Sequence, residues 1–213
     1  MNIVRLKKGL SLPLESRLDS HSVKDTESTE YALLAEDFPY LKPKIMVTEG
    51  QAVKAGEPLL LDKNLNNLPH ICPFDGTVRQ IIRGEKRAFI GIVVDRNPQG
   101  RRKLPVQDSS RENIIAALID SGLWTALKTR PFASVADPDK EPSALFITAM
   151  DTRPLAAPVD AVIKGREDSF KKGVEILSKL TQGKTYICKA PGSAIPEIQS
   201  ESIETVGFTG PHP

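Results

Sequence analysis

The stretch Val47-Thr48-Glu49-Gly50-Gln51-Ala52-Val53-Lys54-Ala55-Gly56-Glu57-Pro58-Leu59, followed by Pro73-Phe74-Asp75-Gly76-Thr77-Val78, decides the reading of the first half of this chain. Short apolar runs recur through it and beyond: Ile45 to Val47, Leu59 to Leu61, Val78 to Ile82 and Ile90 to Val94. Gly or Asp stands at the corners between them. Runs of three to five residues with turn residues at such spacing predict strands rather than helices, closed into a small β-barrel or sandwich. Gly50 and Gly56 bracket an extended segment that bends back at both ends.

Working toward the C-terminus, the period changes. Ser109 stands three before Glu112, a capping-box spacing, and Ile114, Ile115, Leu118 and Ile119 follow at helical intervals up to Gly122. Ser143 to Met150 is a near-continuous apolar run, which predicts a strand buried on both faces. Asp168 to Leu180 places Phe170, Val174, Leu177 and Leu180 on one helical face, with Gly183 just past its end. Lys184 to Ala190 and Ile203 to Phe208 read as two more strands. Strand, helix, strand is the pattern of an α/β layer with parallel pairing. Three strands are few for a finished sheet, which predicts a domain truncated at its C-terminal side. Toward the N-terminus, Ile3, Val4 and Leu6 form a short strand, and the polar segment from Glu15 to Glu30 is a surface loop. The expected organisation is mixed α+β: N-terminal strands and loop over 1–40, a β-module over 41–98 and an α/β domain over 99–213.

Composition narrows the function classes. The 29 Lys and Arg nearly balance the 27 Asp and Glu, which removes the basic footprint of a nucleic-acid binder. No apolar run approaches the roughly 20 residues that cross a bilayer. The opening residues lack the apolar core of a secretory signal, so a cytoplasmic location is expected. Cys72 and Cys188 are far apart and His21, His70 and His212 are scattered, so neither a closed zinc site nor an iron–sulfur cluster is expected. A dinucleotide site would require closely spaced glycines after a strand. Gly165, Gly173, Gly183 and Gly192 stand alone.

Lys44 to Val94 is similar to the lipoyl/biotinyl, or barrel-sandwich hybrid, fold, on the strength of the two glycine-cornered motifs quoted above. In swinging-arm members of that fold a lysine at an exposed hairpin carries lipoate or biotin. Lys63, within Asp62-Lys63-Asn64, is the candidate here, although Asn64, Asn66, Asn67 and Pro69 predict a longer irregular loop.

The whole chain resembles the N-terminal part of the A-subunits of the sodium-translocating NADH:quinone oxidoreductases. That family is related to the C-subunits of electron-transport complexes and to the flavin-bearing subunit of complex I. The likeness rests on Lys8-Gly9-Leu10-Ser11-Leu12-Pro13, Ala32-Leu33-Leu34-Ala35-Glu36-Asp37, the barrel motifs, and Arg130-Pro131-Phe132. It extends through Phe146-Ile147-Thr148-Ala149-Met150-Asp151-Thr152-Arg153-Pro154-Leu155-Ala156 and Phe208-Thr209-Gly210-Pro211-His212-Pro213. The resemblance implies a Rossmann-like second domain and a peripheral cytoplasmic protein on the inner face of the membrane. It implies partners among the other subunits, which carry FAD, FMN and iron–sulfur and reduce quinone, with no redox cofactor on this chain. It also implies a role in docking and in quinone access.

Two groups of side chains are candidates for contact with ligand or partner. Asp151, Thr152, Arg153 and His212 follow strands whose carboxyl ends are where open α/β sheets place ligands. Asp and Thr after a strand are also ordinary turn residues. Arg79, Arg83, Lys86 and Arg87 give the barrel a basic edge that fits an acidic partner, or simply a solvated face. Trp124 with Leu123 and Leu127 reads either as a docking patch or as core. Two other functions stay open from the residues alone: a free-standing lipoyl/biotinyl-type carrier or ligand-binding protein built on the barrel, with Lys63 modified, and a soluble flavoprotein.

Overall fold

The computed structural model describes residues 1–12, 26–97 and 110–211. The chain divides into two compact units, Thr26–Lys140 and Met1–Asp25 together with Glu141–Pro213.

The first unit is built on two antiparallel sheets. β2 (Glu30–Leu34), β8 (Phe89–Arg96), β7 (Gly76–Arg83) and β4 (Ala52–Val53) lie side by side in that order, and β3 (Pro43–Ile45), β5 (Pro58–Asp62) and β6 (Leu68–Ile71) form the other. The quoted motifs make the corners. Gly50 and Gly56 adopt φ of +80° and +88°, a region in which a Cβ would be strained. Reciprocal backbone bonds then tie the corners across the module: Gly50 N to Val78 O and Val78 N to Gln51 O, Gly56 N to Cys72 O and Cys72 N to Glu57 O. The Asp75 carboxylate accepts from Ala55 N at 2.8 Å, which explains the Asp beside the second motif's glycine. Inward residues of both sheets close an apolar core in which Leu59, Leu60, Val78, Ile92 and Val94 have no exposed surface.

Two details of this unit differ from the sequence reading. β2, within the segment assigned to the N-terminal part, pairs along its whole length with β8 and belongs to the barrel. The loop after Lys63 is short rather than long and irregular: a single 3₁₀ turn, Lys63–Leu65, leads through Asn66 and Asn67 into β6. Pro69 fits inside β6 because that strand is the edge of its sheet.

Helix α1 (Arg111–Asp120) follows. Its N-cap is Ser110, whose Oγ accepts from Asn113 N at 3.3 Å; Ser109 lies outside the described residues. Gly122 ends the helix in the left-handed conformation. Trp124 is buried and its Nε1 donates to Ala136 O at 2.8 Å, so it is a core residue, while Leu123 stays exposed.

The second unit holds a fully parallel sheet in the order β1 (Asn2–Arg5), β11 (Ile203–Thr209), β10 (Lys184–Lys189), β9 (Ala144–Ala149). Between β9 and β10 come α2 (Val159–Ile163) and α3 (Glu167–Leu177). Val174, Phe170 and Ile163 of these helices pack on Ile147, Ala149, Ile187 and Ile203. The sequence reading counted three strands. The fourth is β1, from the far end of the chain, pairing Asn2 with Val206 through Arg5 with Thr209. β9 is not buried on both faces: it is an edge strand, and Phe146 is 64% exposed, stacked on Tyr186 at 5.2 Å. An unbroken apolar run can therefore serve an edge strand as well as a central one. No helix among the described residues is long and apolar enough to cross a membrane.

Candidate functional site

The carboxyl ends of the parallel strands carry the first group of candidates. Asp151, Thr152 and Arg153 form the turn after β9. The Asp151 carboxylate accepts from the backbone N of Arg153 at 3.0 Å and from its Nε at 3.0 and 3.1 Å, with the guanidinium NH2 bonded as well. This pairing raises the Arg153 pKa above its ordinary value, chiefly through the hydrogen bond. Asp151 and Arg153 thus lock the turn onto itself. The segment continues through Leu155, held at a φ of +63° and 63% exposed. An open cavity of about 490 Å³ lies here, lined by Asp151, Arg153, Pro154, Leu155, Ala156, Ala157, Val159 and Val162. Its walls are mainly small and aliphatic, with the ion pair as their polar part.

The other strand end lies one strand away from this turn. β10 lies between β9 and β11, so the two ends are roughly 10 Å apart at strand spacing. Thr209 O accepts from Leu6 N at 2.8 Å, and Gly210, at a φ of +112°, passes so close to Leu6 that a Cβ would fall 2.3 Å from its carbonyl oxygen. The end of β11 is committed to the backbone that follows β1. His212 lies outside the described residues.

Between these ends sits a residue that sequence reasoning passed over. Lys189, the last residue of β10, is 3% exposed. Its Nζ donates to Ser193 O at 3.1 Å and Ile195 O at 2.9 Å and pairs with Glu197 at 3.1 Å. All three ammonium donors find acceptors, so the charge is tolerated. Ser193 Oγ in turn donates to Asp160 of α2 at 2.6 Å. The Lys189 ammonium shapes the whole β10–β11 connection. The signal was available: residues 185, 187 and 189 share one face of a strand, and Ile187 marks that face as inward.

In the barrel, the basic candidates separate into two kinds. Arg79 is engaged: NH1 and NH2 donate to both carboxylate oxygens of Glu30 at 2.7 and 2.8 Å, and Asp95 lies 3.3 Å away. That fork lowers the Glu30 pKa. Arg83, Lys86 and Arg87 cluster at the tip of the β7–β8 hairpin, all exposed. Lys63 is exposed at the β5–β6 turn, with its backbone N donating to Lys42 O at 3.0 Å. Asp62 before it is buried and its carboxylate accepts from Asn64 N and Lys42 N.

A second residue missed as a site is His70, 2% exposed on β6. Its ring meets Phe38 edge to face at 4.5 Å, and Lys128 Nζ lies 4.7 Å from the centre of that same Phe38 ring. Burial pushes the His70 pKa down to about 4, with Asp62 opposing the shift and Lys128 adding to it. His70 Nε2 has no hydrogen-bond partner among the described residues. Cys72 and Cys188 are free thiols, each with its pKa raised mainly by burial. Among the described residues no group of three His, Cys, Asp or Glu is placed to hold a metal ion.

Comparison with known proteins agrees with this architecture. Residues 4–97 match the family model described as the NqrA N-terminal barrel-sandwich hybrid domain, and residues 109–213 match the NqrA second alpha/beta domain. The chain is 40% identical over 217 residues to the A-subunit of the Na(+)-translocating NADH-quinone reductase of Neisseria gonorrhoeae (strain NCCP11945), covering 99% of this chain and 48% of that protein. It is 37% identical to the corresponding protein of Tolumonas auensis, with the same coverage. To that of Rhodopirellula baltica it is 33% identical, over 100% of this chain and 48% of the relative. The chain spans about half the length of the curated relatives it matches. With both matched domains in order and nearly every residue covered, the chain belongs to the NqrA family, the A-subunits of the Na⁺-translocating NADH-quinone reductases.

Proposed function

We propose that this chain acts as a peripheral, cytoplasmic component of a membrane-bound, sodium-pumping NADH:quinone oxidoreductase. Its task is attachment and positioning, while FAD, FMN and iron–sulfur reside on other subunits. The observation that carries this reading is the family match over both domains, in an enzyme named for its quinone substrate and its ion. The commitments of the polar groups support it. Lys189, Arg79 and the Asp151–Arg153 pair are each bonded within their own unit in ways that hold strands and turns together.

The cavity beside the Asp151–Arg153 turn is the place on this chain where a quinone would make contact. Leu155 and Val162 offer apolar surface to a ring and its tail, and the Arg153 guanidinium can donate to a ring carbonyl. Such a contact guides quinone and does not transfer electrons.

The test is isolation of the tagged protein from its own membranes in mild detergent. Recovery with membrane-spanning subunits and quinone-reductase activity is expected. A chain that elutes alone, carrying a flavin or an intact mass raised by a lipoyl or biotinyl group on Lys63, would replace this reading with the flavoprotein or the carrier.

A further inference from the structure

The β7–β8 hairpin closes through Glu85-Lys86-Arg87-Ala88, with Ala88 N donating to Glu85 O at 3.0 Å and Gly84 N to Ala88 O at 2.8 Å. Lys86 (φ 52°, ψ 28°) and Arg87 (φ 62°) both lie in the left-handed region. Two central residues at positive φ make a turn of the I′ kind, whose twist suits a hairpin and whose preferred occupants are Asn and Gly. Long side chains with a Cβ adopt that region only against a steric penalty. Residues 85 to 88 are all exposed, so no packing of these side chains compensates. The sequence here forgoes the favourable turn residues and sets two cations at the apex instead.

Arg83, at the end of β7, adds a third cation beside them, and none of the three makes an ion pair among the described residues. Arg79, further down the same strand, shows the alternative: its charge is spent on Glu30 and Asp95. Strain kept where nothing internal benefits is a mark of a contact surface. From these observations we propose that the hairpin tip, through Arg83, Lys86 and Arg87, docks on an acidic protein surface elsewhere in the complex. The inference rests on the attachment role argued above and names its surface. Three cations with Glu85 among them fall short of the about four to eight that hold a protein on anionic lipid. They are also too few for a nucleic-acid backbone. An Arg fork at the apex suits carboxylates held in bidentate geometry.

The experiment compares the wild-type chain with the double variant Lys86→Asn/Arg87→Gly. Both are added to membranes that hold the remaining subunits but lack this chain, and to protein-free vesicles rich in anionic lipid. Relief of the turn is expected to raise the melting temperature by about 3 °C, while co-sedimentation with the membranes weakens at least tenfold and neither protein binds the vesicles. A more stable variant that binds as tightly as the wild type would overturn the proposal and leave the attachment role standing. A variant that melts lower would remove the strain on which the proposal depends and overturn it. Vesicle binding that disappears in the variant would reassign the tip to lipid. If the wild type binds no membrane at all, the attachment role fails and this surface with it.

Discussion

The two units of this chain bury their interiors by different means. In the barrel, the residues with no exposed surface include Leu59, Leu60, Cys72, Val78, Ile92 and Val94, and the backbone bonds at the corners do the rest. In the parallel sheet, Ile187 is accompanied inward by Thr185, Thr205 and Lys189, and a large aromatic, Phe146, is left mostly outside. The barrel is held mainly by apolar burial, with Asp62 and His70 as buried polar exceptions. The sheet adds specific polar bonds, from Lys189 to Ser193 O and Ile195 O and from Thr205 Oγ1 to Ile198 O, which hold the β10–β11 connection, while Thr185 Oγ1 has no hydrogen-bond partner among the described residues.

Three experiments probe that contrast. The largest effect is expected from truncating the barrel core. Leu59→Ala should cost about 3–4 kcal/mol through lost transfer energy and a cavity. Phe146→Ala, at an exposed site on β9, should cost under about 1 kcal/mol. Denaturant midpoints of the two variants measure the difference, and equal losses would contradict it.

Next comes pH. His70 titrates near 4 in the folded chain and near its ordinary value of about 6.5 when unfolded. Between those values the unfolded state binds the extra proton, so stability is fully present above about pH 6.5 and falls as the pH drops toward 4, by up to roughly 3 kcal/mol. His70→Leu should flatten that part of the stability profile, followed by urea unfolding from about pH 7 to about 4.5. An unchanged slope would place the acid sensitivity elsewhere.

The smallest of the three concerns Lys189. Lys189→Met keeps the length of the side chain but strips Ser193 O and Ile195 O of their donor, at about 2 kcal/mol. Its more specific mark is faster amide exchange confined to residues 190–202. Loss of protection spread evenly over β9 and β10 would show a general packing role instead.

Much of the barrel was legible because its corners require glycine and its strands are short and regularly spaced. Gly50, Gly56 and Asp75 each perform a backbone task that few other residues could. β2 was hidden because its pairing partner lies some sixty residues away and its local pattern, Glu30-Tyr31-Ala32-Leu33-Leu34, carries no turn signal of its own. The same reason hid β1 as a member of the parallel sheet, since its register with β11 spans the length of the chain. α2 was missed because five residues cannot display a helical period.

The candidate site divides along similar lines. Asp151 and Arg153 were visible as residues after a strand, but their mutual pairing is a matter of turn geometry. The apex strain at Lys86 and Arg87 was invisible in a sequence that reads there only as basic. Side-chain periodicity reports which face is inward; it does not report how a charge placed on that face is satisfied.

The central claim, that the chain attaches and positions rather than passes electrons, is tested most directly by adding it back to membranes stripped of it. NADH oxidation by an artificial electron acceptor and NADH-driven quinone reduction would be followed in the same samples. The first is expected to proceed without the chain, and only the second to be restored by it. Dehydrogenation that itself requires the chain, or quinone reduction indifferent to it, would contradict the account.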